Sequence, residues 1–126
     1  MATRFDRSGP ASGPAVTGFA GRGFKVDGEV YTGGVKLTPE AARAWVAPTL
    51  SDLTVQDLDD LLALQPLPEF LVLGTGATTA RPAAAFSKAL DDLGIGLEAM
   101  DSRAAARAWA VLRAEDRWIV AALMPL

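Results

Sequence analysis

Phe70-Leu71-Val72-Leu73 is an unbroken apolar run that passes directly into the turn Gly74-Thr75-Gly76. An apolar stretch this short, without polar alternation and bounded by turn residues, is the pattern of a strand buried on both faces. Pro66 and Pro68 end any helix before it, and the glycines end the strand after it. A strand buried on both faces needs helices or a second sheet on each side, so the chain is expected to fold as an α/β domain. Its 126 residues suit one such domain with one core.

The flanking segments supply the helices. Thr54 with Asp57 three residues on resembles a capping box, and Leu58, Leu61, Leu62 and Leu64 repeat at helical spacing. Pro82 opens a second helix with Phe86, Leu90 and Leu93 on one face and Gly94 as its stop. Ile95 to Met100 is the next strand, and Asp101 or Ser102 caps a third helix carrying Ala105, Ala108, Trp109 and Leu112. Glu115-Asp116-Arg117 then turns the chain into a last strand within Trp118 to Leu123, apolar on both faces and therefore central. This α-β-α-β-α-β order implies right-handed crossovers around a largely parallel core. The third helix leaves the direction of the last strand open.

The first half reads as antiparallel strands. Phe24 to Val26 and Glu29 to Thr32 flank Asp27-Gly28, a dipeptide suited to the positive φ angles of a tight hairpin turn. Gly33-Gly34 marks a bend before Val35-Lys36-Leu37. Thr38-Pro39-Glu40 fits a helix start, while an extended run from Ala42 to Ala47 competes with it. Residues 1–14, rich in Ser, Gly and Pro, read as a flexible leader, with the domain spanning 15–126.

Several function classes drop out on composition. The chain has no cysteine and no histidine, which removes disulfides, thiol nucleophiles, the common zinc sites and a Ser-His-Asp triad. No catalytic residue, cofactor or metal is assigned. Net charge is −3 and the basic residues are scattered singly, so nucleic acid is not an expected partner. The apolar runs fall well short of the roughly 20 residues of a membrane helix, so an integral membrane protein is not expected.

The candidate ligand-binding residues are Gly74, Thr75, Gly76, Arg81, Asp101, Glu115 and Arg117. Backbone N–H groups of a glycine turn can form an anion-binding nest, and Arg81 stands close enough in sequence to add a cation. Strand ends of α/β sheets gather at one edge, which singles out Glu98, Asp101, Glu115 and Arg117 among the charged residues and is why the last three join the set. A dinucleotide site would use Glu98 as its ribose-binding acid, but Thr79 occupies the third glycine position and the helix starts late. The plainer alternative is a turn kept small so that strand and helix pack closely. Arg117 with Glu115 or Asp101 fits a structural ion pair, and Asp59-Asp60 and Asp91-Asp92 read as solvated helix faces.

These residues also carry a resemblance. Gly18-Phe19, Gly23-Phe24, Gly28, Tyr31, Gly33-Gly34-Val35, Pro39, Trp45, Leu71 to Gly76, Glu98 to Ser102, Ala104-Ala105, Val111-Leu112, Glu115 to Arg117 and Val120 to Leu123 occur in order. In that order and spacing the chain, from Val16 to Leu126, resembles the small α/β domain family that includes mitochondrial respiratory complex I assembly factor three, an adipogenesis-associated cytosolic protein and many uncharacterised prokaryotic proteins. The resemblance implies three layers: a mixed five-stranded central sheet with its last strand antiparallel, helices on one face, and a helix with an N-terminal β-hairpin on the other. It favours the extended reading near Trp45. The chain departs from the family's usual pattern at Ala110 (commonly asparagine), Asp116 (glycine) and Ser102 (threonine).

The resemblance implies a non-enzymatic accessory or assembly factor that binds protein partners, respiratory-complex subunits among them. Such a protein is expected in the cytoplasm, reaching a membrane through its partner. The rival expectation is a small-molecule protein or enzyme, binding an anion or nucleotide at the glycine turn. Self-association of an isolated domain is a third.

Overall fold

The apolar run at 70–73 is the heart of the sheet in the computed structural model, which describes residues 13–126. The chain runs through β1 (Val16–Ala20), β2 (Gly23–Val26), β3 (Glu29–Tyr31), β4 (Val35–Leu37) and β5 (Ala42–Ala44). Two 3-10 turns, Leu50–Asp52 and Val55–Leu58, lead into α1 (Asp59–Leu62). Then come β6 (Phe70–Gly74), α2 (Ala84–Asp92), β7 (Gly96–Met100), α3 (Ser102–Ala114) and β8 (Val120–Leu123).

β1, β2 and β3 form an antiparallel sheet, and the other strands form a five-stranded mixed sheet in the order β5-β4-β8-β6-β7. The β2–β3 turn has φ 50° at Asp27 and 90° at Gly28, the two positive angles expected of Asp-Gly. β1 widens the expected hairpin to three strands; its alternation is interrupted by a register shift between Val16 and Gly18. Thr38 closes a turn rather than opening a helix. Its hydroxyl accepts from the N–H groups of Glu40 and Ala41, and its own N–H donates to the Ala41 carbonyl. Pairing of β5 with β4 claims the residues a helix would have used.

The last strand is not antiparallel to the rest, contrary to the expectation. β8 runs parallel to β6, which runs parallel to β7; the strand opposed to β8 is β4. The reason is the length of α3. Its 13 residues span about 20 Å, enough to carry the chain back along the sheet before β8 begins. The β6–β7 and β7–β8 crossovers step across the sheet in opposite directions. With one handedness, that places α2 and α3 on opposite faces.

Alternation in the strands feeds two cores. Leu71, Leu73, Val120 and Ala122 face one way and pack with Leu58, Leu61, Phe86, Leu90 and Trp45. Val72, Ala121, Leu123, Val35 and Leu37 face the other way and pack with Phe24 and Val26 of the small sheet and Trp109 of α3. Leu93 is exposed rather than buried, because it follows the last turn of α2. The capping box at Thr54 and Asp57 is present, although it opens the 3-10 turn that precedes α1.

The expected leader spanned 1–14; residues 1–12 lie outside the described residues. Pro14 is buried, and its carbonyl accepts from Trp109 Nε1 of α3 at 2.9 Å. No helix among the described residues is long and apolar enough to cross a membrane.

Candidate functional site

The seven candidate residues divide between two opposite edges of the sheet. Gly74, Thr75, Gly76, Arg81 and Asp101 follow the C-terminal ends of β6 and β7, whereas Glu115 and Arg117 precede β8. A five-residue strand, about 17 Å long, separates the two groups. One constellation of all seven is therefore not formed. The parallel direction of β8 is the physical cause, since it sends the α3–β8 turn to the edge where strands begin.

At the C-terminal edge, Ser102 ties three chain segments together. Its buried hydroxyl donates to the Met124 carbonyl at 2.7 Å and accepts the Gly76 N–H at 2.9 Å. The Ser102 N–H donates to the Gly76 carbonyl at 2.8 Å, and the Thr75 N–H donates to the Met100 carbonyl at 2.8 Å. The Thr75 and Gly76 amides thus have internal acceptors, and those two are not turned toward an anion. Gly74 is required by the same contact: a Cβ there would stand 2.7 Å from Ser102 Oγ and 3.0 Å from its Cα. The plainer reading of a turn kept small for packing fits this geometry. Asp101 caps α3 by accepting the Ala104 N–H at 2.9 Å, and its own N–H donates to Thr79 Oγ1 at 3.2 Å. Arg81 is exposed in the loop before α2.

At the other edge, Arg117 pairs with Glu69, not with Glu115 or Asp101. Its Nη2 donates to Glu69 Oε1 at 2.7 Å and its Nε to the same oxygen at 3.1 Å. The hydrogen bond from Arg117, then that from the Trp118 N–H, holds the Glu69 carboxyl below its ordinary range. The same pairing raises Arg117 above the usual guanidinium value, with Glu115 contributing only a weaker charge effect. The guanidinium also lies 5.4 Å from the centre of the Phe70 ring. Arg113 donates from Nη1 to the Arg117 carbonyl, and Trp118 Nε1 donates to the Pro66 carbonyl at 2.6 Å. Asp116 takes φ 61°, a left-handed conformation that glycine adopts freely.

Between β7 and α3 lies a groove of about 550 Å³, with Phe70, Met100, Ala108 and Leu112 as its apolar lining. Glu98, Arg107 and Val111 border it, and Arg117 lines it as well. Val111 is 59% exposed, unusual for a valine in mid-helix. Glu98 sits in the middle of β7, not at a strand end where it would meet a ribose. Sequence reasoning missed this groove and missed Glu69 and Ser102 as anchors. The available signals were an apolar Val111 on the polar side of a helix and a carboxylate directly before the central strand. Among the described residues no group of three or more acidic side chains is placed to hold a metal ion.

The fold is shared with solved bacterial proteins. A crystal structure from Bordetella parapertussis matches with TM-score 0.81 and 31% identity, covering 93% of this chain and 100% of that one. An NMR structure from Xanthomonas campestris matches with TM-score 0.76 and 32% identity, covering 94% and 89%. A Bordetella pertussis solution structure described as an Mth938-like domain gives TM-score 0.77 at 26% identity, covering 99% and 92%. Among curated proteins, NADH dehydrogenase [ubiquinone] 1 alpha subcomplex assembly factor 3 of Danio rerio is 34% identical over 115 residues, 91% of this chain and 66% of its own length. An uncharacterized protein of Rhodobacter capsulatus is 32% identical over 114 residues, covering 88% and 84%. The chain thus spans just under two thirds of the zebrafish assembly factor. A family model described as protein of unknown function (DUF498/DUF598) matches residues 16–124, and the chain belongs to that family.

Proposed function

We propose that the protein is a non-enzymatic accessory factor that binds protein partners during the assembly of respiratory complex I. The observation that carries this reading is the 34% identity with a complex I assembly factor across 91% of the chain. The family match over residues 16–124 includes β6, the Ser102 junction and the Glu69–Arg117 edge. The rival, a ligand site made of Gly74, Thr75, Gly76, Arg81, Asp101, Glu115 and Arg117, has less support. Two of its amides are satisfied internally and its charged residues stand on opposite edges.

Affinity-tagged protein recovered from its native cells is expected to bring down complex I subunits or assembly intermediates. Deletion is expected to lower assembled complex I on native gels. Unchanged complex I content and activity after deletion would remove the proposal.

A further inference from the structure

We propose that β7 is a docking edge, on which an extended segment of a partner protein adds as a sixth strand and lays an acidic side chain against Arg107. This rests on the protein-binding reading above and says where and how the partner is held. β7 ends the five-stranded sheet, with β6 on one side and, among the described residues, no strand on the other. The Gly96 N–H donates to the Glu69 carbonyl and the Met100 carbonyl accepts the Thr75 N–H, so residues 96, 98 and 100 turn their backbone groups inward to β6. By the strand's two-residue period, Leu97 and Ala99 turn theirs outward. Asp101, next in that series, has its N–H capped by Thr79 Oγ1. The edge is therefore closed at one end and open at Leu97 and Ala99.

A strand added there would place alternate side chains beside Glu98 and Met100, over the groove lined by Phe70, Ala108 and Val111. Main-chain bonds would supply attachment and the groove would select side chains. The groove also specifies charge. Arg107 borders it without a hydrogen bond or ion pair to any described residue, while Arg117 is already neutralised by Glu69. An acidic residue on the incoming strand complements Arg107 where it stands beside Met100; directly opposite Glu98 it would meet a like charge. A second copy of this chain offers a poorer match: pairing two β7 strands about their centres sets Glu98 against Glu98, and like charges directly opposite are unfavourable.

The test uses the whole chain and blocked peptides of about seven residues, an ordinary strand length. The peptides alternate valine and threonine and differ only in carrying aspartate, glutamine or lysine at the centre. The aspartate peptide is expected to bind most tightly by fluorescence anisotropy and to slow hydrogen exchange of the Leu97 and Ala99 amides specifically. Arg107→Glu should reverse the preference to the lysine peptide. Ala99→Pro, which removes an outward donor, should abolish binding, and Val111→Glu should weaken it if the proline variant fails to fold. No protection of the two amides by any peptide, an unchanged preference in Arg107→Glu, or a β7-paired dimer in light scattering would overturn the proposal. The two readings fail separately. Peptide binding with no complex I defect on deletion removes only the assembly role. A complex I defect fully rescued by Val111→Glu and Arg107→Glu removes only the docking edge.

Discussion

The hydroxyl of Ser102 donates to the carbonyl of Met124 at 2.7 Å across the C-terminal edge of the sheet, and it simultaneously accepts the Gly76 amide. One buried hydroxyl thereby connects the loop after β6, the start of α3 and the segment after β8. The glycine turn is shaped around that junction, which explains why Gly74 has no room for a side chain.

Ser102→Ala is expected to destabilise the protein by about 1–3 kcal/mol, because it leaves a buried N–H and a buried carbonyl without their partner. Gly74→Ala should cost about 1–3 kcal/mol through overpacking against Ser102. Urea unfolding of the variants measures both. A Ser102→Ala midpoint equal to that of the parent would mean that the junction contributes nothing.

Acidification should expose the Glu69–Arg117 pair. The folded-state pKa of Glu69 is depressed, so its contribution is present above the unfolded carboxylate pKa and is lost as pH falls through the folded value. Both side chains are substantially exposed, which makes the effect small and sensitive to salt. Glu69→Gln is expected to flatten this part of the stability–pH curve below the ordinary carboxylate range. NMR titration of the Glu69 carboxyl reads the shift directly, and a midpoint at or above the ordinary value contradicts it.

Trp109→Phe should destabilise by about 1–3 kcal/mol, since the buried Pro14 carbonyl loses the indole donor. Hydrogen exchange near Ala15 should accelerate more than exchange in β6. Equal acceleration in both segments would show that the variant weakens the whole fold and not the anchoring of residues 13–15.

Asp116→Val is expected to cost about 1–2 kcal/mol, the penalty of a β-branched residue at φ 61°. Asp116→Gly should be tolerated. Thermal unfolding of the pair decides it, and equal melting temperatures for the two variants would contradict the assignment of strain to this turn.

Much of this architecture was legible along the chain because its signals are local. Asp27-Gly28 specifies its turn through two positive φ angles, Thr54 and Asp57 form their reciprocal cap, and Asp101 caps α3 with its own carboxylate. Thr38, where a helix start and an extended run competed, is instructive: its hydroxyl does bond to nearby amides as a cap would, but it closes a strand turn. A cap's local chemistry does not specify whether a helix follows. The candidate site was less legible, because Arg117 meets Glu69 from 48 residues away and no spacing rule connects them.

Taken alone, the sequence determined that Phe70 to Leu73 is a buried strand, that helices alternate with strands after it, and that histidine and cysteine chemistry is absent from the chain. Each follows from residue type and short-range period. Only the tertiary structure decided that β8 runs parallel to β6, that the candidate residues lie on two edges, and that Ser102 occupies the glycine turn's amide. Strand direction depends on how far a helix carries the chain across the sheet, and hydrogen-bond partners depend on which distant segments that path brings together. The strand and turn at 70–76 thus end as the core of a packing junction, with the open edge of β7 beside it.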